Sequence, residues 1–344
     1  MVVGEDGSLP LPWLAAAIEQ AAAPSRGHAL LLHAAPGAGA LQWAVCLAQT
    51  WLCEGPPAAA ASPSRIAPCG RCAACRLVQA HTHPDLLLVL PEELAVAHGV
   101  PVELDEKRKP SRQIRMQDVR RALDWVVTTR ARSGQAKVLV LHPATALNGV
   151  SASALLKMLE EPPQGVRIVL TASDPARLLP TLLSRCQRLR LPPIPAGPCL
   201  AWLAQQGVAQ PEVMLAAAGG QPLEALELHA AGIGAPQWAG VPQAVRQGHA
   251  AYFEGWGVRR VVDALVKLCH DAMVEQAGGA ARFFPASARP VGGSPQALAA
   301  WQARLRALAA HVDHPWNEPL TVEALVLQGQ SALGSPARFA TLQP

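Results

Sequence analysis

Aromatic residues and long apolar runs are both scarce in this chain of 344 residues. Aromatic side chains make up only 4% of it, with a single Tyr and four Phe, which argues against a β-sandwich. Half of the residues are nevertheless hydrophobic, and the abundance of Ala and Leu among them favours helix-rich packing. The composition therefore predicts a protein that is mostly α and α/β, and the length allows two or three domains.

Membrane and export signals are absent from the sequence as well. The longest apolar segments, near residues 138–141 and 166–171, have the length of strands and not of membrane spans. The first residues contain no basic region followed by an apolar stretch, so we expect no signal peptide. The formal charge of +4 is too small by itself to indicate nucleic-acid binding. We expect a cytoplasmic protein with no membrane partner.

The eight cysteines include a closely spaced group. Two residues separate Cys69 from Cys72 and Cys72 from Cys75, while Cys53 ends a predicted helix. In a chain this large, such spacing favours metal ligation in a reducing compartment over a disulfide scaffold. Four thiolates complete a tetrahedral Zn²⁺ shell and leave no position for a substrate. The pattern predicts a structural zinc module over about 53–76.

Two other ligand sets for this metal remain open. An Fe–S cluster also uses four cysteines, but the spacing differs from the common ferredoxin runs. His81 and His83 are substitute ligands if Cys53 points elsewhere, although the sequence from Thr82 to Asp85 favours a turn that enters a strand. Zinc on the four cysteines is the prediction that we carry forward.

The first part of the chain alternates predicted strands and helices. A strand at 28–33, a Gly-containing turn and a helix at 41–53 follow one another in the order of a P-loop fold. Further strands at 85–90, 137–141 and 166–171 are separated by predicted helices, which indicates a parallel sheet covered on both faces. The predicted helices between these strands lie at about 116–130 and 151–160.

A run of prolines ends the sheet pattern. Four prolines between Pro192 and Pro198 predict a stiff connector and hence a domain boundary. Three short helical segments follow, and a Gly/Pro-rich stretch at 232–242 is predicted to end a small lid domain. The rest is helical apart from a loop at 285–295. The predicted domains are a P-loop domain at 1–192, a helical lid at 193–240 and a helical domain at 241–344.

The turn after the first strand has the outline of a phosphate-binding loop without its chemistry. Such a loop has the pattern G-x-x-x-x-G-K-[ST], whose Lys reaches the phosphates and whose hydroxyl binds Mg²⁺. Gly37 and Gly39 are present here, but Ala40 replaces the Lys and Leu41 replaces the hydroxyl residue. Pro36 also removes a backbone donor. The alternative is a simple strand-to-helix turn formed by the two glycines.

The second element of a nucleotide site is missing too. The strand at 137–141 ends in His142-Pro143, where an ATPase has acidic residues that position metal and water. Without these charges, little remains to stabilise a transferring phosphoryl group. We therefore predict no intrinsic ATPase activity and no bound ATP of the chain's own.

Three motifs occur together with this loop and the cysteines, in one order over about 28–190: Ala154–Pro163, Thr171–Pro175 and Ser184–Cys186. In this combination the chain resembles the delta-prime family of bacterial DNA polymerase III clamp-loader subunits, which are non-hydrolysing AAA+ relatives of the gamma/tau ATPase. The resemblance implies an AAA+-like domain, a helical lid and a helical collar that joins gamma/tau and delta subunits. Contact with the sliding clamp and primed DNA would occur through that complex.

The same resemblance gives Arg185 a role in trans. It implies that Arg185 completes the ATP site of a neighbouring gamma/tau subunit, with Ser184 and Cys186 setting its local geometry. It also implies that Leu223 replaces an Arg that senses nucleotide. From the residues alone, the alternative is a surface Arg in an ion pair. Glu160 and Glu161 stand directly before two prolines. They are predicted to end a helix and to have no catalytic role.

Three functions are compatible with these features. The first is a non-hydrolysing clamp-loader subunit that contributes Arg185 to a neighbour. The second is a zinc-containing AAA+ ATPase of the gamma/tau type with an unusual loop. The third is a stand-alone zinc-dependent nucleic-acid-binding protein, which would bind DNA tightly and with strong salt dependence on its own.

Overall fold

The computed structural model describes residues 2–23, 27–55, 68–104, 108–128, 131, 136–288, 292–309, 311 and 316–334. The chain forms two compact units, Met1–Pro198 and Cys199–Pro344. Within the described residues, none of the helices combines the length and the apolar character that crossing a membrane requires.

A parallel sheet of five strands organises the first unit. The strands stand side by side in the order β2-β3-β4-β1-β5, so that β1 lies between β4 and the edge strand β5. In the register of the sheet, Leu31 is opposite Leu170, and Leu139 is opposite Ile168. The strands are β1 (Ala29–His33), β2 (Leu86–Val89), β3 (Lys137–Leu141), β4 (Val166–Ala172) and β5 (Gln187–Arg190).

Helices cover both faces of this sheet. Leu31 belongs to a core that also contains side chains of α5, α6 and α7, whereas Leu30 points to the other face because side chains alternate along a strand. Trp43 of α2 is fully buried. The helices of this unit are α1 (Ala15–Ala22), α2 (Ala40–Leu52), α3 (Ala73–Gln79), α4 (Glu92–Ala97), α5 (Met116–Thr128), α6 (Gly149–Glu160) and α7 (Pro180–Leu183).

The second unit consists of helices in its described part. At its centre Trp238 stacks on Phe284 with ring centroids 5.0 Å apart, and its indole N–H donates to the Phe283 carbonyl at 2.9 Å. Trp301 is fully buried as well. The helices are α8 (Ala196–Gln205), which begins just before the boundary, α9 (Pro211–Ala217), α10 (Pro222–Ala230), α11 (Ala235–Arg246), α12 (Gly257–Gln276), α13 (Pro295–Ala309) and α14 (Glu318–Leu333).

The predicted fold class, a parallel-sheet P-loop domain followed by helices, is confirmed. The Gly/Pro-rich stretch at 232–242 is largely helical, because α11 occupies most of it and continues through Pro242. Buried Trp238 and Val241 anchor that helix, and their packing outweighs the cost of an interior Pro. The division into three domains stays a prediction.

Candidate functional site

The loop that resembles a P-loop connects β1 to α2 at the carboxyl edge of the sheet. Gly37 and Gly39 both have left-handed backbone conformations, with φ of 72° and 97°. A Cβ on Gly39 would lie 2.3 Å from Leu11 Cδ1, so neither the backbone nor the space admits a side chain. The turn conformation accounts for both glycines, and the contact with Leu11 adds a packing reason at Gly39.

Residues 11–14 cover the loop with apolar side chains. Leu11 and Leu14 are buried, and the Trp13 indole N–H donates to the Ala38 carbonyl at 3.1 Å. The Ala38 N–H donates within the loop, to the Ala35 carbonyl at 3.2 Å. Leu41, in place of the hydroxyl that would bind Mg²⁺, is only 3% exposed and acts as a core residue. The loop therefore has packed apolar side chains at positions where an ATPase has side chains that bind phosphate and Mg²⁺.

His142 follows β3 at the same edge of the sheet. Its Nδ1 lies 2.6 Å from the Thr171 hydroxyl, near the end of β4. Burial, assisted by the charge of His98, lowers the pKa of His142 to about 4. The imidazole is therefore neutral near pH 7 and supplies no negative charge for a metal ion.

Arg185 stands at the junction of α7 and β5. Its Nε donates to Glu160 Oε1 at 2.6 Å, and its Nη2 pairs with the same carboxylate. Its Nη1 donates to the Thr181 carbonyl at 2.7 Å and to the Ser184 hydroxyl at 3.3 Å. The side chain is 30% exposed. Arg185 is thus held in an ion pair at the surface, with Ser184 beside it.

Acidic side chains pair with part of a basic cluster between 107 and 115, whose members are Lys107, Arg108, Lys109, Arg112 and Arg115. Arg108 and Arg115 both pair with the buried Glu92, at 2.6 and 2.9 Å, and Arg112 pairs with Glu93. Although burial opposes it, the Ser111 N–H and the Arg108 guanidinium lower the pKa of Glu92. Two carboxylates thus balance two of the three arginine charges. Lys107 of the same cluster lies outside the described residues.

The four predicted metal ligands lie together. The sulfur atoms of Cys53, Cys69, Cys72 and Cys75 are all within 4.8 Å of one another, and those of Cys53 and Cys72 are 3.9 Å apart. Tetrahedral coordination with Zn–S bonds of about 2.3 Å requires sulfur separations of about 3.8 Å. The four residues therefore fit one metal ion. The group consists of the four cysteines and includes neither His81 nor His83.

Local backbone structure places these sulfurs. Cys53 follows the end of α2, Cys72 caps the start of α3, and Cys75 lies in its first turn. Burial acts to raise the pKa of Cys69, but N–H groups of Arg71 and Cys72 outweigh it and lower this pKa to about 6. Burial raises the pKa of Cys53 and Cys75. One thiolate is thus favoured before any metal binds.

The cysteine loop also holds the start of the described chain. The Gln79 amide donates to the carbonyls of Val3 and Gly70, at 2.8 and 2.7 Å, and Val3 N–H donates to Gln49 Oε1 at 2.9 Å. Gly70 has a φ of 74°, and a Cβ there would collide with the Gly4 carbonyl. The loop and residues 3–4 therefore pack as one piece.

The sheet order and the strand–loop–helix unit define the class of this protein. It has an AAA+-like P-loop domain that lacks the charged side chains with which an ATPase binds nucleotide. Residues 14–195 match the family described as DNA polymerase III, delta subunit, and the chain belongs to that family.

Two curated relatives support this assignment. The chain is 38% identical over 227 residues to DNA polymerase III subunit delta' of Pseudomonas aeruginosa, a match that covers 64% of this chain and 62% of the relative. It is 34% identical over 224 residues to the subunit of the same name from Escherichia coli, covering 63% and 60%. The chain thus spans about three fifths of the length of these relatives.

A solved structure supports the fold independently. The DNA polymerase III gamma subunit-related protein of Thermotoga maritima aligns over 93% of this chain and 99% of its own, with a TM-score of 0.50 and 14% identity. At this identity the likeness concerns the fold alone.

Sequence reasoning missed two contributors to the site. The cover that residues 11–14 form over the loop depends on tertiary packing and has no local signal in the sequence. Glu160 was predicted to end a helix, as it does, but its pairing with Arg185 joins residues 25 apart and has no local signal. Leu223 lies in the first turn of α10, as a half-buried side chain.

Proposed function

We propose that the protein is a non-hydrolysing subunit of a bacterial DNA polymerase III clamp loader, and that it completes a neighbouring gamma/tau ATP site with Arg185. The observation that carries the proposal is an asymmetry in the first unit. The chain's own loop has lost its charged ligands and is covered by Leu11 and Trp13, while a solvent-accessible Arg remains at the end of α7.

The chemistry of phosphoryl transfer supports this role for the Arg. Charge develops on the oxygens of the γ-phosphate during transfer, and a guanidinium delivered by another subunit stabilises it by two parallel hydrogen bonds. The Arg185 head lies at the surface beside Ser184, which helps to fix its position. The proposed partners are gamma/tau and delta subunits, with the sliding clamp and primed DNA engaged through the complex.

We further propose that the four cysteines hold a structural Zn²⁺. Their thiols match the ligand type and separation of such a site, and four sulfur ligands leave no open position for catalysis. When bound, the ion would tie the end of α2 to the start of α3. The Arg71 and Arg76 side chains in this loop would offset part of the negative charge of four thiolates.

The ATPase alternative is disfavoured by Ala40, Leu41 and the neutral His142. The ion pairs of Arg108, Arg112 and Arg115 offset part of the positive charge that a stand-alone nucleic-acid-binding protein would need.

Reconstitution tests the proposed role of Arg185. The protein is mixed with gamma/tau, delta, clamp and primed DNA, and ATP turnover is measured for wild type and Arg185→Ala. We expect hydrolysis at the site it completes to fall by about 10³-fold, as when an arginine finger is removed elsewhere. Arg177→Ala, which removes an exposed Arg nearby, serves as the control and should leave turnover unchanged. Equal turnover by wild type and Arg185→Ala would refute the proposal.

A further inference from the structure

Glu160 occupies the donors of Arg185 that a phosphate would need. Its Oε1 accepts from Nε at 2.6 Å and also pairs with Nη2, so one edge of the guanidinium is engaged by a single carboxylate. That edge is one that arginines commonly use to bind carboxylates and phosphates through parallel hydrogen bonds. A phosphate and Glu160 therefore compete for the same face of the side chain.

The remaining contacts of the guanidinium come from α7 itself. Nη1 donates to the Thr181 carbonyl at 2.7 Å and to the Ser184 hydroxyl at 3.3 Å. These acceptors are neutral and are close to Arg185 in the chain. They therefore keep the head near the end of α7 whether or not Glu160 is bound, and only the Glu160 contact has to be exchanged.

The position of Glu160 is unfavourable for α6 alone. It is the last residue of that helix, with Glu161 at the cap, and negative charge at a helix C-terminus opposes the helix dipole. The positive charge of Arg185 offsets this effect. Because Glu160 is 47% exposed and Arg185 30% exposed, the pair is solvated and can be displaced at small cost.

We propose that Glu160 is a positioning residue. Its carboxylate keeps the Arg185 guanidinium paired until a phosphate group of a nucleotide on the neighbouring subunit displaces that carboxylate. This inference rests on the proposed function, since it assumes that Arg185 acts in trans. The carboxylate keeps the guanidinium from pairing with other anions, and a triphosphate with several charged oxygens outcompetes one exposed carboxylate. The stronger the ion pair between Glu160 and Arg185, the more it lowers ATP hydrolysis at the neighbouring site.

The test compares ATP turnover by the reconstituted complex for wild type and Glu160→Gln at subsaturating ATP. Removing the competing charge should raise turnover about two- to fivefold, which is the range expected for an exposed ion pair. Glu161→Gln is the matched control, because it removes the same charge one residue away, and the Arg185 pair that the structure describes is formed with Glu160. It should leave turnover unchanged.

A third variant separates this proposal from the proposed function. In an Arg185→Ala background, Glu160→Gln should have no further effect, because the group that it regulates is gone. If Arg185→Ala lowers turnover but Glu160→Gln leaves it unchanged or lowers it, Glu160 does not restrain Arg185 and only this inference fails. If Arg185→Ala itself has no effect, the proposed function fails as well. Equal melting temperatures of wild type and Glu160→Gln would exclude misfolding as a cause.

Discussion

At the residue scale, the loop after β1 shows that glycine spacing and phosphate chemistry are separable. Gly39 keeps its left-handed backbone and its contact with Leu11 although Ala40 and Leu41 have replaced the charged and hydroxyl side chains. A glycine pattern therefore indicates the strand–loop–helix geometry, whereas the residues that follow it decide whether nucleotide chemistry is possible. Because Gly39 has no side chain, Leu11 can pack directly against its Cα.

Gly39→Ala tests this packing role. The substitution adds a left-handed backbone penalty of about 1 kcal/mol and a collision with Leu11, so we expect a total loss of about 2–4 kcal/mol in the free energy of unfolding. Gly99→Ala is the matched control, because Gly99 also has a positive φ but nothing lies within 4 Å of its added Cβ. Urea unfolding of both variants measures the difference. Equal losses would mean that Leu11 does not press on the loop.

At the scale of secondary-structure elements, the sequence predicted most of the sheet and missed the polar parts. The strands β1, β3 and β4 are mostly apolar, as expected for a buried parallel sheet, and they were predicted within a residue or so. β5 was missed because only Leu189 of its residues is buried, as suits an edge strand. α4 was missed because it is a short helix of six residues.

In the candidate site, too, the sequence predicted the features that have a local pattern and missed the contacts between distant residues. Cysteine spacing predicted the four clustered sulfurs, because metal ligation leaves a local pattern in the chain. The same kind of local evidence could not reveal that Gln79 links the cysteine loop to Val3, residues that are 76 positions apart. Such contacts arise when the sheet and helices assemble, and a single sequence contains no signal for them.

The coupling between the cysteine loop and residues 3–4 gives a prediction for this element. We expect one Zn²⁺ per chain by elemental analysis, and loss of the metal in Cys75→Ser but not in Cys199→Ala.

Removal of the metal by a chelator should release α3 and with it the Gln79 contacts, so hydrogen exchange at the Val3 amide should accelerate. Gln79→Ala should accelerate exchange with the metal still bound, since it removes two hydrogen bonds worth about 0.5–1.5 kcal/mol each.

Two results would contradict this coupling. The exposed Gln164 provides the control, and Gln164→Ala should leave exchange at Val3 unchanged. If metal removal leaves the Val3 amide as protected as before, the cysteine loop does not hold this segment. If Gln79→Ala and Gln164→Ala have equal effects, the two hydrogen bonds of Gln79 are unimportant.

At the scale of the whole molecule, each feature of the first unit makes sense if the chain depends on partners. The sheet and loop have an ATPase-like framework, residues 11–14 cover the loop with apolar side chains, and Arg185 forms an ion pair at the surface. Under the proposed function, a chain with this combination contributes shape and one cation to the clamp-loader assembly. The ATP site that this cation is proposed to complete lies on a neighbouring subunit.

The structure of the assembled complex with a bound ATP analogue tests this central claim most directly. We predict that the Arg185 guanidinium has left Glu160 and lies about 2.7–2.9 Å from a γ-phosphate oxygen held by the adjacent gamma/tau subunit. The chain's own loop should contain no nucleotide. A complex in which Arg185 still pairs with Glu160 and faces solvent, with the triphosphate far away, would contradict the account.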